Sequence, residues 1–544
     1  MPALINASLS KISILPPKNG APMQMLRTLQ LAALLVALAL LSGCANTAAK
    51  RTETGLELNL VAKDNEGFVI LKVVSVRPIS LLNPKWQSVE ISTKGKHAEM
   101  KDITAQYNML LGKHVPTESL YFAKLEAGEY EITGMGCMGP GPGLLLALLA
   151  SDSASTNRKL PRFAVQPGRL ANLGTLVYVP EIEKERAEQM FLLHGPAGKK
   201  AAKNALLFES LRTDIPVIEG GGWTSAATAE AEADVLEQAR RHVSLLSIQS
   251  TGQQVSAGSH LGQIFRRTGP QKWSRETIDT LGRVYSVAQA PDGRVIAGSD
   301  YGEYFVKAGN GKWSTYRLAP ETGRIAHIEP LANGSAIFVA GDLQQTRVWK
   351  KKSIEDNSES PTEVTRTNTP PDNILVTDNE LIFAGNIPGI TRKTVISRIN
   401  KQTLALTSQN ENFWVVDWKY RPDGTVAMTR QNGLSLYSST WVDQQRTWQH
   451  SDVTGITGYC HDTQQCVSIE ASPGFTMVSN QLRQTSDGGT TWARVGKPLD
   501  TRNYAGRVVF ADEKEVLLQG SDMLYSTTDN GATWQRLFPL PTSQ

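Results

Sequence analysis

The sequence predicts a mainly all-β chain: a seven-bladed β-propeller preceded by a small β-sandwich and a short helical connector. Three observations predict this. A unit of turn, apolar strand and small residue recurs seven times in the C-terminal half. A late tryptophan returns in the same rhythm. Ahead of the repeats lie alternating apolar runs broken by Ala-Gly and Pro-Gly turns, and then a stretch of helix formers.

Residues 1–43 read as an export signal. Arg27 precedes an apolar run from Leu29 to Leu41, interrupted only by Gln30, and small residues follow. A positive region, an apolar core and a small-residue cut site make a secretory signal. Met23 or Met25 supplies a start compatible with it. Leu41-Ser42-Gly43-Cys44 resembles the lipobox of bacterial lipoproteins. The resemblance implies that Cys44 is acylated and becomes the first mature residue, so that lipid and not a spanning helix holds the chain to a membrane. Ala45, where Asp would retain a lipoprotein at the inner membrane, implies the outer membrane of a Gram-negative cell, facing the periplasm. Residues 44–56 then comprise the lipidated Cys and a small, polar tether.

The whole chain has 544 residues and a formal net charge of +4. Loss of residues 1–43 removes Lys11, Lys18 and Arg27 and no acid, which lowers the charge to +1. A near-neutral chain gives no footing for nucleic acid. No apolar run after Cys44 is long enough to span a bilayer.

Residues 57–180 read as the sandwich. Leu56-Glu-Leu-Asn-Leu60 alternates, and Gly67 to Val76 is a long apolar strand. Ala127-Gly128 and Pro167-Gly168 mark turns between further strands. The pattern of Leu125, Gly128, Tyr130 and Ile132, then Phe163-Ala-Val-Gln-Pro-Gly168 and Leu173-Gly-Thr-Leu176, resembles prealbumin-like modules of bacterial lipoproteins. Gly134-Met-Gly136-Cys-Met-Gly139 matches a dinucleotide fingerprint literally. Pro140 and Pro142 deny it the helix that the fingerprint needs, so it is read as a loop. Cys137 is expected to be buried, and Leu144 to Ala150 to form an apolar flap. Residues 181–241 read as the connector, helical over 182–211 and again over 224–245, with Gly220-Gly-Gly-Trp223 between.

The repeats occupy residues 242–544. Pro291-Asp-Gly-Arg-Val-Ile-Ala-Gly298 and Ala332-Asn-Gly-Ser-Ala-Ile-Phe-Val-Ala-Gly341 are the plainest copies. The ends of the seven units fall at 258, 298, 341, 385, 429, 471 and 520, in steps of 40–49 residues. Each step is one four-stranded blade. Trp273, Trp313, Trp349, Trp448, Trp492 and Trp534 supply the second rhythm. Cys460 and Cys466 flank a polar turn between two strand-like runs and are a candidate disulfide in an oxidising compartment.

Two late copies are sharper. Thr485-Ser-Asp487-Gly-Gly489-Thr-Thr491-Trp492 and Thr527-Thr-Asp529-Asn-Gly531-Ala-Thr533-Trp534 lie 42 residues apart. Both resemble the Asp-box, or BNR repeat. The expected logic is a clasp: Asp accepts turn N–H groups, Gly takes positive φ, and Trp packs between sheets. These residues are structural candidates, not catalytic ones. Sialidases carry the box, but with six blades and an Arg-Ile-Pro motif that is absent here; Asp214-Ile215-Pro216 lacks the Arg. Xyloglucan hydrolases pair two seven-bladed propellers, and this chain has room for one. The array is closer to non-catalytic BNR-like propellers, among them thylakoid photosystem assembly factors and bacterial relatives, which implies a scaffold.

Trp414, Trp418 and Tyr420 alternate along one strand, giving either an inter-blade core or an aromatic ligand platform. Asp300, Asp342, Asp417 and Glu470 are the carboxylates on or near inner strands, and hydrolysis would need two of them facing one cleft. No His or Cys spacing matches a metal site, and no cofactor motif occurs. The expected function is therefore a lipid-anchored periplasmic binding or scaffold protein, whose propeller face docks a protein partner of the envelope. The alternative is a carbohydrate-active propeller, as a glycosidase or a polysaccharide-binding module.

Overall fold

Alternating and fully apolar strands build the first layer. The computed structural model describes residues between 49 and 538, excluding 77–87, 103–117, 137–153, 156–160, 180–188, 209–214 and several loops of at most five residues. Cys44, Cys137, the 144–150 run and the export signal lie outside the described residues. The segment read as a plain tether carries a hairpin, β1 (Ala49–Thr52) with β2 (Gly55–Leu58).

Nine strands form the N-terminal domain: β3 (Glu66–Ser75), β4 (Ser88–Thr93), β5 (Lys96–Asp102), β6 (Glu118–Glu126), β7 (Gly128–Gly136), β8 (Ala154–Ser155), β9 (Phe163–Val165), β10 (Leu170–Val179) and β11 (Gln189–Leu193). By hydrogen bonding they form one sheet, in the order β11-β10-β3-β6-β5-β4-β7-β8, with β9 on β7. It folds into a sandwich where β5 and β6 share only two pairs, Lys101 with Phe122 and Asp102 with Tyr121. Val69, Leu71, Tyr121 and Leu176 from one half then meet Val89, Ile91, Ile132 and Phe163 from the other. β10 runs parallel to β3, and both are buried on two faces, as continuous apolar runs require.

The connector departs from its expectation at both ends: the second helix stops at Arg240, and Leu245 already belongs to a strand of the first blade. Residues 189–193 are strand β11, not helix, because Phe191 and Leu193 pair with β10 and are buried. Helix α1 (Pro196–Phe208) begins with Pro at its first position, where no N–H is needed. Its Ala197 and Gly198 amides donate to Glu232 of helix α2 (Ala229–Arg240) at 2.9 and 3.0 Å. The Thr228 side chain caps α2. Ala202 and Ala205 let α1 lie close on Phe68, Ile70 and Leu170. Trp223 inserts into the sandwich core, and its indole N–H donates to the Leu173 carbonyl at 3.1 Å.

Seven consecutive antiparallel sheets follow, the blades, over 245–277, 286–317, 324–367, 372–411, 414–454, 456–501 and 507–538. Six have four strands, and blade 6 has a fifth. In each, strand order equals chain order, as short turns dictate. The repeated glycine now has a cause. A Cβ on Gly298 would strike Ile325 at 2.6 Å, and one on Gly258 or Gly385 would overlap Val284 or Thr369. Gly258 and Gly298 lie late in a second strand where the chain entering the next blade crosses it, and Gly385 lies where the link entering its own blade crosses it. Trp349 breaks its rhythm: it sits on a third strand, Thr346–Lys351, opposite Glu363.

Blade 7 closes on blade 1 without exchanging a strand. The Gln519 side chain accepts from the Ile248 amide at 3.1 Å, and Phe265 meets Phe538 edge-on at 4.8 Å. Arg267 of blade 1 pairs with Asp512 and, at 2.7 Å, with fully buried Glu515. The cluster behind this seam runs without a break from Val74, Val177 and Phe191 of the sandwich, through Leu236 of α2, to Ala257, Leu517 and Phe538.

Candidate functional site

Strand alternation gives the propeller two ends. Turns joining strands 1–2 and 3–4 lie at one end; turns joining strands 2–3, and the links between blades, lie at the other. The sandwich and α2 sit at the second end. The Arg240 guanidinium donates to the Leu261 carbonyl at 3.0 Å, and the Gln263 amide to the Arg240 carbonyl at 2.8 Å. Asn204 of α1 reaches Glu303 of blade 2 at 3.4 Å. The two Asp-box-like segments lie at the first end, away from the sandwich.

Where the sandwich meets blade 2, a buried charged cluster forms. Asp300 lies in the turn just after the second strand of that blade, Val295–Gly298, and is buried. It accepts from the Arg283 backbone amide at 2.7 Å, from the Arg283 guanidinium at 3.1 Å and from the Tyr285 hydroxyl at 2.9 Å. Arg283 and Arg324 lie over the Tyr285 ring at 4.9 and 5.6 Å. Tyr301 takes a left-handed φ of 56° in the turn, and Lys72 of β3 lies over its ring at 5.1 Å. Burial pushes the Lys72 amine down to about 8, against an opposing pull from Asp300. Burial also pushes Asp300 up, but Arg283 and Lys72 outweigh it and hold the carboxyl below its ordinary range. The Tyr285 hydroxyl is raised, chiefly by burial.

A second cluster spans non-neighbouring blades. Arg507, on the first strand of blade 7, donates to the Ile248 carbonyl of blade 1 at 2.6 Å and reaches Asp417 of blade 5 at 3.5 Å. Asp417 also pairs with Lys419 at 3.0 Å. Burial lowers the Lys419 amine to about 8, with Asp417 opposing. Arg507 thus ties three first strands together across the centre.

The aromatic platform is not built. A register shift between Val415 and Asp417 breaks the expected alternation, so Val415 and Trp418 share one core with Leu375 and Ile396 of blade 4. Trp418 is 3% exposed and Trp414 9%; Tyr420 packs partly buried against the same core. The Trp414 N–H donates to the Ile387 carbonyl at 3.3 Å.

The two clasps have the expected hydrogen bonding. Asp487 accepts from the Thr491 amide at 2.9 Å, from the Thr491 hydroxyl at 2.6 Å and from the Thr485 hydroxyl at 2.5 Å. Asp529 accepts from the Thr533 amide, the Thr533 hydroxyl and the Thr527 hydroxyl at 2.9, 2.6 and 2.8 Å. Those bonds push the Asp529 carboxyl down to about 2, the Thr533 hydroxyl most of all. Gly531 takes positive φ in its turn, as Gly488 does in the other; Gly489 lies outside the described residues. Trp534 packs between blades 6 and 7, and Trp492 lies under the Arg483 guanidinium at 6.0 Å. Cys460 and Cys466 form a disulfide across the first hairpin of blade 6.

The structure does not bring the candidate carboxylates together as a pair. Asp300 and Asp417 each serve cations of their own, Glu470 is gripped by Arg494 at 2.9 and 2.5 Å, and Asp342 lies outside the described residues. Among the described residues no group of three or more His, Cys, Asp or Glu could hold a metal ion. Nor is any described helix long and apolar enough to cross a membrane. Sequence reasoning missed Lys72, Arg283 and Arg507. Lys72 had a signal, as the one charge inside Phe68-Val-Ile-Leu-Lys-Val-Val74. Arg507 had none, because it acts on Asp417, 90 residues away, and the pairing of Arg283 with Asp300, 17 residues on, follows no local spacing rule.

No protein-family model matches the sequence, and no curated protein matches it. Several solved structures are similar over about half of this chain. A structure described as YCF48 bound to D1 peptide is 14% identical, covering 55% of this chain and 94% of that one, with a TM-score of 0.39. YCF48 from Cyanidioschyzon merolae is 12% identical, covering 51% and 93%, at 0.40. A GH74 enzyme of Niastella koreensis is 14% identical, covering 54% of this chain and 53% of its own, at 0.38. Similarity this distant carries no argument about activity, and the propeller rests on its own seven sheets and closed seam.

Proposed function

We propose that this chain is a binding or scaffold protein, held to the outer membrane of a bacterial cell by lipid on Cys44, whose propeller face docks a protein partner of the envelope. One observation supports binding over catalysis. The buried carboxylates of the propeller's described residues, Asp300, Asp417 and Glu515, are each engaged by an arginine or lysine. A hydrolase needs one carboxyl free to give a proton and another free to attack or activate water. A carboxylate held ionised by a guanidinium or ammonium group cannot give the proton that hydrolysis requires, and these three instead tie the strands around them together.

The reading is tested by crosslinking whole envelopes that carry the acylated protein and identifying what is recovered with it. Stoichiometric recovery of one envelope protein supports the scaffold. Recovery of glycan without protein, or turnover of an envelope polysaccharide, overturns it. Metabolic labelling with a fatty-acid analogue tests the anchor: label on the parent and none on Cys44→Ser is expected, and an unlabelled parent defeats the lipid assignment.

A further inference from the structure

We propose that the thiol–disulfide state of Cys460 and Cys466 acts as a lock on one corner of the propeller, where blades 6 and 7 meet at the end remote from the sandwich. Cys460 closes the first strand of blade 6, Ile456–Cys460, and Cys466 opens the second, Cys466–Pro473. The two stand opposite one another in register, so the bridge closes the hairpin loop 461–465. Inside that loop the His461 amide donates to the Gln465 carbonyl at 2.8 Å. Asp462 accepts from the Gln464 and Gln465 amides at 2.7 and 2.6 Å.

The closed loop touches two neighbours. The first is the Asp487 clasp in the same blade. The Gly488 amide donates to the Gln464 carbonyl at 2.9 Å, and a Cβ on Gly488 would lie 2.7 Å from the Thr463 carbonyl. Gly488 has a φ of +70°, so glycine is needed there for both conformation and space. The second neighbour is blade 7. The rings of His461 and Tyr459 lie 5.8 and 6.4 Å from Phe510 on its first strand, Arg507–Phe510. One covalent bond therefore positions a loop that bears both on a clasp and on an inter-blade contact.

The effect should be local. A bridge across so short a loop removes little chain entropy from the unfolded state, so its weight falls on the native hairpin. Closing the lock requires a donor disulfide, either a small molecule or an oxidoreductase. A thiolate of the pair attacks one donor sulfur, the donor S–S bond breaks, its other sulfur leaves as a thiolate, and a mixed disulfide forms. The second thiolate of the pair then displaces the remaining donor sulfur, so that the donor ends with both sulfurs reduced and carries the two electrons. Cys466 is essentially inaccessible and Cys460 slightly less so, which makes Cys460 the sulfur that meets the donor. Excess dithiol reverses the exchange.

Amide hydrogen exchange on the full chain tests this. It compares oxidised protein with protein refolded under a phosphine reductant, and with Cys460→Ala/Cys466→Ala. Reduction is expected to speed exchange about tenfold in 485–495 and 507–511 and to leave blades 2 and 3 unchanged. The double variant should match the reduced form and ignore the phosphine. Unchanged exchange in those segments overturns the lock. Loss of protection in every blade, or failure of both reduced forms to fold, also overturns it, because the bridge would then be a general requirement of the fold.

Discussion

Lys72 is fully buried, on a strand that is otherwise apolar, and holds its proton there only down to a pKa of about 8 instead of 10.5. Between those values the unfolded chain binds more protons than the folded one. Stability therefore rises with pH across that window and is flat below it. Lys72→Met removes the cost of burying the charge. Asp300 stays satisfied, because Arg283 and Tyr285 still hold it. The variant should be more stable than the parent at pH 7 by about 1–2 kcal/mol, with the difference shrinking towards pH 9.5. Urea midpoints at the two pH values decide it, and a destabilised variant would mean that the lysine contributes more through Asp300 and Tyr301 than burial costs. Asp529 behaves oppositely. Its carboxyl is lowered from 3.8 to about 2, so the clasp contributes fully above pH 4 and fades as pH falls through 2. Asp529→Ala should lower the urea midpoint at pH 7, and the gap should narrow progressively below pH 4.

At the scale of elements, the seam between blades 7 and 1 is the weak point, because blade 7 is followed by no chain link to blade 1, whereas every other junction is also joined by the backbone. Arg267 and Glu515 sit at 9% and 0% side-chain exposure, and Glu515 also accepts from the Gln271 amide and the Ser526 hydroxyl. Removing one member of a buried pair strands the other. Glu515→Ala should cost about 3–5 kcal/mol. Hydrogen exchange should quicken in 263–277 and 507–519 before it does in blades 3 and 4; uniform quickening would show that the seam is no weaker than any other junction. The seam also marks how far the sequence could be read. Strand, turn and period are local properties, so the blades and their glycines stood out in Pro291-Asp-Gly-Arg-Val-Ile-Ala-Gly298 and its copies. The clasps were equally plain, because Asp487 and Asp529 bond to residues four positions on. Arg267 with Glu515, and Arg507 with Asp417, pair across 248 and 90 residues, and no local pattern records such a match. For Trp418 the sequence left inter-blade core and platform open, and the core is what forms, because a register shift at 415–417 sets which way the following side chains face.

The molecule as a whole combines three parts that its sequence separates. The apolar cluster that begins at Val74 and Val177 of the sandwich ends at Leu517 and Phe538 of blade 7, with Leu236 and Val243 of the connector between them. A linker between independent domains would be polar and would carry few contacts. Here α2 buries its apolar face on both sides, and the Arg240 guanidinium and carbonyl both bond to blade 1. Cutting the chain at residue 242 would expose Leu245, Leu261 and Leu281 to water, together with the notch that Lys72 fills. Each fully exposed side chain of that kind costs about 1.5–3 kcal/mol. Residues 45–544 should therefore unfold in one calorimetric transition, and residues 242–544 alone should melt lower and associate through the exposed face. Two separate transitions in the longer chain would show that the sandwich is an independent module. A single transition would make the sandwich part of the propeller's own structure, with the consequence for binding that a partner meets the loop end of the propeller beyond the blades that the sandwich already covers.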